Sequence, residues 1–146
     1  MIREITSNDK QDFLDMAHEF YASDAVLHPL PDEYHLRAFN EAVNSKLYLR
    51  IFIMEYDGKV AGYSTLSKQF CTEAGGFCMW FEDIYVKPQY RSKGLARELF
   101  AHVEQNFGYA RRLRLEVEEE NERAVKLYSK MGFEVLPYMQ MVKEKQ

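Results

Sequence analysis

The sequence is sparing in the residues that commit a chain to special architectures. It has only two cysteines, Cys71 and Cys78, with no metal-ligand spacing and no histidine beside them. That excludes a disulfide scaffold and a cysteine-based zinc site. The two thiols flank the turn signal "EAGG" and read either as free thiols or as one cross-strand pair. Four histidines without ligand spacing give no reason to expect a metal. Four prolines and seven glycines leave no linker, and no repeat or low-complexity tract occurs. Long apolar runs are missing as well: Arg50 and Glu55 interrupt the most hydrophobic region, and the opening "MIREITSNDK" has no signal-peptide core. A cytoplasmic protein without a membrane partner is the expectation. Positive charge is not in excess either. The formal net charge is −4, which disfavours bulk binding to nucleic acid or to an anionic membrane. Two nucleotide signatures are absent too, the three-glycine G-x-G-x-x-G and the P-loop G-x-x-x-x-G-K-[ST].

What is present suits one domain spanning 1–146, with 47% apolar and 14% aromatic residues. Charge is uneven along it. Residues 1–45 carry nine acids against three bases, a net of −6, which leaves +2 for the rest. This reads either as solvated helix faces or as an acidic wall for a cationic substrate.

Hydrophobic periodicity gives the elements. "IREI" reads as a strand, followed by a helix with Phe13, Leu14, Ala17 and Phe20 on one face and Ser7 or Asn8 as its cap. A second helix carries Leu36, Phe39 and Val43. Two β-rich runs around Asp57-Gly58 make a hairpin, and "GGFCMWFEDIYV" makes another strand. Leu95, Leu99, Val103 and Phe107, at steps of four, mark a third helix. "RRLRLEVEE" alternates as a strand, "NERAVKLYSKMGF" is a helix ended by Gly132, and two short strands close the chain around Pro137. The expected order is β-α-α-β-β-β-α-β-α-β-β, an α/β (α+β) domain on a mixed, mostly antiparallel sheet of about seven strands with four helices.

The joint "YRSKGLARELF", residues 90–100, places cations, a serine and a glycine between a strand and a helix. A helix N-terminus presents unsatisfied N–H groups and about half a positive charge, so a loop wrapping into it can hold phosphate. Gly94 lets the backbone approach a ligand closely, Ala96 stays small, and Arg91, Lys93 and Arg97 suit a pyrophosphate. On its own such a glycine also reads as a plain turn.

The stretch "EDIYVKPQYRSKGLARELF" resembles the acetyl-coenzyme A motif of the GNAT superfamily of N-acetyltransferases, R/Q-x-x-G-x-G/A after a strand, and "NERAVKLYSKMGFE" resembles that superfamily's next motif. The resemblance implies an acetyl-coenzyme A-dependent acetyltransferase with the GNAT fold. It implies that the main chain of Ile84, Tyr85 and Val86 binds the pantetheine arm, and that Arg91, Ser92, Lys93, Gly94, Leu95 and Ala96 supply amides to the pyrophosphate. Arg97 adds charge there, while Asn121 and Ala124 contact the cofactor from the second motif. Ala96 stands where glycine is more familiar, a departure the motif tolerates.

Acetylating an amine raises two proton problems. At pH 7 only about one alkylamine in 10³ is neutral, given a pKa near ~10.4, and the departing thiolate benefits from a proton. Within the resemblance Tyr128 is the general acid; it lies two helical turns beyond Asn121 and so shares its face. Its other reading is a buried aromatic. Glu82 is the candidate base, acting directly, through water, or by holding the cation. Adjacent Asp83 would face the opposite side of a regular strand, and a bulge would relieve the cost of two carboxylates in an apolar run. The Glu-Asp pair is similar to that of diamine (spermidine/spermine)-type small-amine acetyltransferases. With the acidic N-terminal third it favours a small cationic acceptor, to which Asp24, Asp32 and Glu33 would contribute contacts. A peptide amine is the alternative acceptor, and a non-catalytic coenzyme A sensor the alternative class. The apolar closing strands would suit a homodimer.

Overall fold

The computed structural model describes residues 1–145, and the chain forms two compact units, Met1–Glu116 and Val117–Gln146. The first begins with β1 (Ile2–Glu4) and a 3-10 turn at Ser7–Asp9, followed by α1 (Lys10–Tyr21) and α2 (Asp32–Asn40), which runs on into a π-helical turn at Glu41–Ser45. Then come β2 (Leu49–Tyr56), β3 (Lys59–Cys71), β4 (Gly76–Val86), α3 (Leu95–Asn106) and β5 (Arg112–Leu115). The five strands form one sheet in sequence order, antiparallel except for the parallel pair β4–β5.

Each element follows from local chemistry. The residue that precedes α1 is Asp9, not the expected Ser7 or Asn8, and its side chain makes no bond to the α1 backbone. Its carboxylate instead closes a capping box on the Ser7–Asp9 turn, accepting from the Thr6 N–H at 2.8 Å and the Thr6 hydroxyl at 3.0 Å, and is clamped by Arg3. The hairpin β2–β3 turns on Asp57 and Gly58, with φ of 49° and 72°, the mirror-image turn that two-residue hairpin loops prefer. The apolar stripes of α1 and α2 bury Phe13, Met16, Ala17 and Phe39 against Ile51, Ile53, Tyr63 and Tyr85 of the sheet. The stripe of α3 is buried at Leu95, Leu99, Phe100 and Val103, with the Phe100 ring centroid 4.7 Å from that of Phe81.

One expectation is corrected, and the first of the two readings of the cysteines holds. The sheet has five strands, not about seven: residues 133–145 hold no strand, although their sequence alternates like one. A strand exists only through its ladder, Pro137 lacks the N–H a ladder needs, and Val135, Met139, Met141 and Val142 are exposed. The cysteines are free thiols set off by two positions, Cys71 opposite Gly76 and Cys78 opposite Gln69. The second unit contains α4 (Glu122–Lys130), capped by Asn121, whose side-chain oxygen accepts from the Ala124 N–H at 3.3 Å.

Candidate active site

The centre of the first unit is a break in β4. Thr65 pairs with Asp83 while the next residue, Leu66, pairs with Phe81, so Glu82 is an extra residue, bulged out of the ladder and exposed. The bulge resets the alternation. Phe81 packs its ring at a tilt against Phe100 of α3, whereas Asp83 turns to the side of α1. At the same place β4 loses its other neighbour: pairing with β5 ends at Phe81–Leu115, and residues 82–86 continue alongside β3 alone. The main chain of Ile84, Tyr85 and Val86 therefore lies beyond the end of the β5 ladder, an edge that an amide-bearing arm could complete. The Val86 carbonyl already accepts from Arg91 Nε at 3.1 Å.

Asp83 is only 7% exposed. Tyr21 Oη donates to its Oδ1 at 2.6 Å and Tyr63 Oη to its Oδ2 at 3.4 Å, and the hydroxyl of Thr65 adds a third bond. Its own carbonyl accepts from Ser64 Oγ at 2.7 Å. Burial pushes the carboxyl up to about 6, against the pull of the hydroxyls and with help from the charge of Glu82. Burial, and then the charge of Asp83, holds the Tyr21 phenol far above its ordinary range. The side chain of Tyr85 reaches α1, donating to Glu19 at 2.5 Å; burial and that bond push its phenol up to about 12.

Past β4, Pro88–Tyr90 makes a 3-10 turn and Arg91–Gly94 wraps into the start of α3. Ser92 and Gly94 have φ of 63° and 84°, and Gly94 is the N-cap, so this turn is built by residues in the left-handed region. Arg91, Ser92, Lys93, Gly94 and Arg97 are exposed, Ala96 is half-buried, and Leu95 is buried as the anchor of the turn. Exposed cations around a capped N-terminus fit an anionic pyrophosphate.

The predicted acceptor acids fall around α1 and α2. Asp24 is exposed in the connection between them. Asp32 pairs with His18 at 2.9 Å, and Glu33 pairs with Arg37 one turn on. With Asp15 and His35 they line an open cleft of about 370 Å³ between the two helices. The bond to Asp32 raises the His18 pKa, whereas burial lowers that of His35, whose Nε2 has no hydrogen-bond partner. Among the described residues no group of three or more His, Cys, Asp or Glu could hold a metal, and no helix is long and apolar enough to cross a membrane.

In the second unit, Asn121 spends its side-chain carbonyl on the α4 cap at Ala124, so its amide N–H groups are what it can offer a ligand. Tyr128 is half-buried, its ring edge-on to Phe133 at 6.1 Å, and burial raises its phenol, keeping it a proton donor at neutral pH. Tyr21, Tyr63 and Thr65, the hydroxyls gathered on Asp83, were not among the sequence candidates. Tyr21 is one of ten tyrosines, 62 residues from Asp83, and no local pattern distinguishes it.

A family model described as the acetyltransferase (GNAT) family matches residues 11–133. No curated protein matches the chain. Among solved structures, AAC(6')-Iy in complex with a coenzyme A bisubstrate analogue is similar, with TM-score 0.81 and 20% identity over 100% of this chain and 98% of that one. The same aminoglycoside N-acetyltransferase in complex with CoA gives TM-score 0.80 and 22% identity over 100% and 95%. An integron cassette protein from the mobile metagenome of Cole Harbour Salt Marsh gives TM-score 0.78 and 25% identity over 98% and 89%.

Proposed function

The chain belongs to the acetyltransferase (GNAT) family, and on that footing we propose that it acetylates a primary amine of a small cationic acceptor. Acetyl-coenzyme A is the cosubstrate of this acyltransferase. The amine attacks the thioester directly within a ternary complex, and 1–146 serves as one catalytic domain. The observation that carries this reading is the bulge of β4, which puts a carboxylate pair where the β5 ladder ends and just before the Arg91–Gly94 turn. The main chain of residues 84–86 and that turn fit a pantetheine arm and its pyrophosphate. Exposed Glu82 meets the acceptor's ammonium. Tyr128 protonates the departing thiolate, a role assigned through its motif, and Asn121 and Ala124 contact the cofactor on the same ground. Neither cysteine lies in the two motifs, so no acetyl-enzyme is invoked.

The small cationic acceptor is favoured by the acidic cleft at Asp15, Asp32 and Glu33, with Asp24 nearby in sequence. AAC(6')-Iy, similar in fold, is an aminoglycoside acetyltransferase; a polyamine or diamine fits the same chemistry. We place the protein in the cytoplasm, as a homodimer joined by its apolar closing segment, where Val135, Met139, Met141 and Val142 are 83–91% exposed.

The test is release of coenzyme A thiol from acetyl-coenzyme A with polyamines, lysine analogues, aminoglycosides and a basic peptide as acceptors. Turnover on one of the small polycations is expected. Tyr128→Phe should lower kcat roughly 10²-fold with little change in KM for acetyl-coenzyme A. Turnover on the peptide alone would overturn the small-amine assignment.

A further inference from the structure

Of the two carboxylates at the bulge, Asp83 is the buried one, its proton affinity raised by that burial and its access to a ligand cut off by it, and the geometry resolves that conflict. Its Oδ1 and Oδ2 each accept a tyrosine hydroxyl, from Tyr21 on α1 and Tyr63 on β3. Tyr63 is fully buried, whereas Tyr21 is half-buried and is the hydroxyl through which Asp83 can exchange protons with a ligand. The Tyr21–Asp83 bond is 2.6 Å, in the range of a charge-assisted O–H···O⁻ contact. Tyr21 Oη donates its one proton to Asp83, so its lone pairs can only accept from a third group. A hydroxyl that donates to a buried carboxylate and accepts from outside is a proton relay.

We propose that the Tyr21–Asp83 pair is the general base of the acetyl transfer, with Tyr21 touching the acceptor nitrogen and Asp83 taking the proton. This rests on the N-acetyltransferase reading above, and it leaves Glu82 to hold the cation. The acceptor's ammonium first loses one proton to solvent, and as the neutral nitrogen bonds to the thioester carbon its N–H becomes far more acidic than that of the free amine. That proton passes to Tyr21 Oη while the proton of Tyr21 moves to Asp83 Oδ1, so no tyrosinate forms. The C–S bond then breaks, and the thiolate takes a proton from Tyr128, the acid its motif assigns. Asp83 returns its proton to solvent and Tyr128 regains one from solvent, so the amide and the free thiol are the products and both residues end in their starting protonation states.

The surroundings support the assignment. The ionisable groups facing the pair are Glu82 beside it on β4, Tyr63 on β3, His35 on α2, whose ring centroid lies 5.1 Å from that of Tyr21, and Glu19 on α1, held by Tyr85. None is a permanent cation that would fix the proton elsewhere, and burial disfavours the charged form of His35. With its carboxyl at about 6, Asp83 is ionised at neutral pH yet more basic than an ordinary carboxylate.

The experiment is the pH profile of kcat/KM, on the best acceptor of the panel, for wild type, Tyr21→Phe, Asp83→Asn, the double variant and Glu82→Gln. Calorimetric binding of acetyl-coenzyme A monitors the fold. Wild type should lose activity as pH falls through about 6. Tyr21→Phe and Asp83→Asn should each lower kcat roughly 10²-fold, and the double variant should be no worse than either alone. Glu82→Gln should raise KM for the amine and keep the acidic limb. An Asp83→Asn enzyme that keeps that limb, or losses that multiply in the double variant, would overturn the relay. If Asp83→Asn fails to bind acetyl-coenzyme A, Tyr21→Phe decides: wild-type kcat in that variant sinks the proposal. No turnover by wild type on any acceptor would sink the acetyltransferase reading and the relay with it, which is a distinct result.

Discussion

Asp83 carries an ionisable group on the core side of β4, and its proton affinity couples to folding. The folded carboxyl titrates at about 6 because burial disfavours the charge, while the unfolded one titrates near ~3.9. A folded pKa above the unfolded one means that the native state holds the proton more tightly. Stability is then greatest below about pH 4 on account of this group, falls as pH rises through 6, and is flat above, a loss of about 3 kcal/mol. Asp9 works the opposite way: the Arg3 guanidinium holds it down at about 2, so its contribution is present above about pH 4 and lost as pH falls to 2. The two are separated by variant. Urea titrations of wild type and Asp83→Asn from pH 4 to 7 should differ by a slope that disappears in the variant, and identical slopes would contradict the buried charge.

At the scale of elements, the site depends on the contact of β3 with β4. Gly62 pairs with Val86, and a Cβ on it would stand 2.3 Å from the Tyr85 carbonyl oxygen. Backbone cannot yield as a side-chain tip does, so Gly62→Ala must push β4 away from β3. The expected cost is about 3 kcal/mol or more, read as a drop in Tm, together with weaker acetyl-coenzyme A binding because residues 84–86 move. An unchanged Tm would mean that the ladder is more pliant than its register implies. The bulge at Glu82 and the end of the β5 ladder at Leu115 coincide within one residue, so one irregularity both aims the carboxylates and opens the strand edge.

For the whole molecule, charge asymmetry is the property that function would use. The −6 carried by residues 1–45 should draw a polycation toward α1 and α2. Salt shortens the reach of such fields, with a Debye length of about 10 Å at 0.1 M. Raising ionic strength from roughly 0.05 to 0.5 M should lower kcat/KM for a polyamine several-fold and leave kcat unchanged. Flat kcat/KM would return the acids to an ordinary solvated face. Light scattering addresses the assembly: the wild-type chain should weigh as a dimer, and Met139→Lys with Met141→Lys should shift it toward monomer.

The sequence by itself determined most elements and the two motifs, because periodicity and turn chemistry are local. Phe13, Leu14 and Ala17 mark α1, Asp57-Gly58 marks its hairpin, and Arg91 to Ala96 mark the turn into α3. It also flagged Glu82-Asp83 as a pair that a regular strand cannot hold cheaply. Which carboxylate is buried was decided by tertiary structure, since a bulge is a property of two strands in register and cannot be read from one. So was the gathering of Tyr21, Tyr63 and Thr65 on Asp83, from an element 62 residues away and from a neighbouring strand. The closing segment shows the converse. Alternating Val135, Met139 and Met141 look like strand, yet a pattern alone cannot supply the partner whose hydrogen bonds make one.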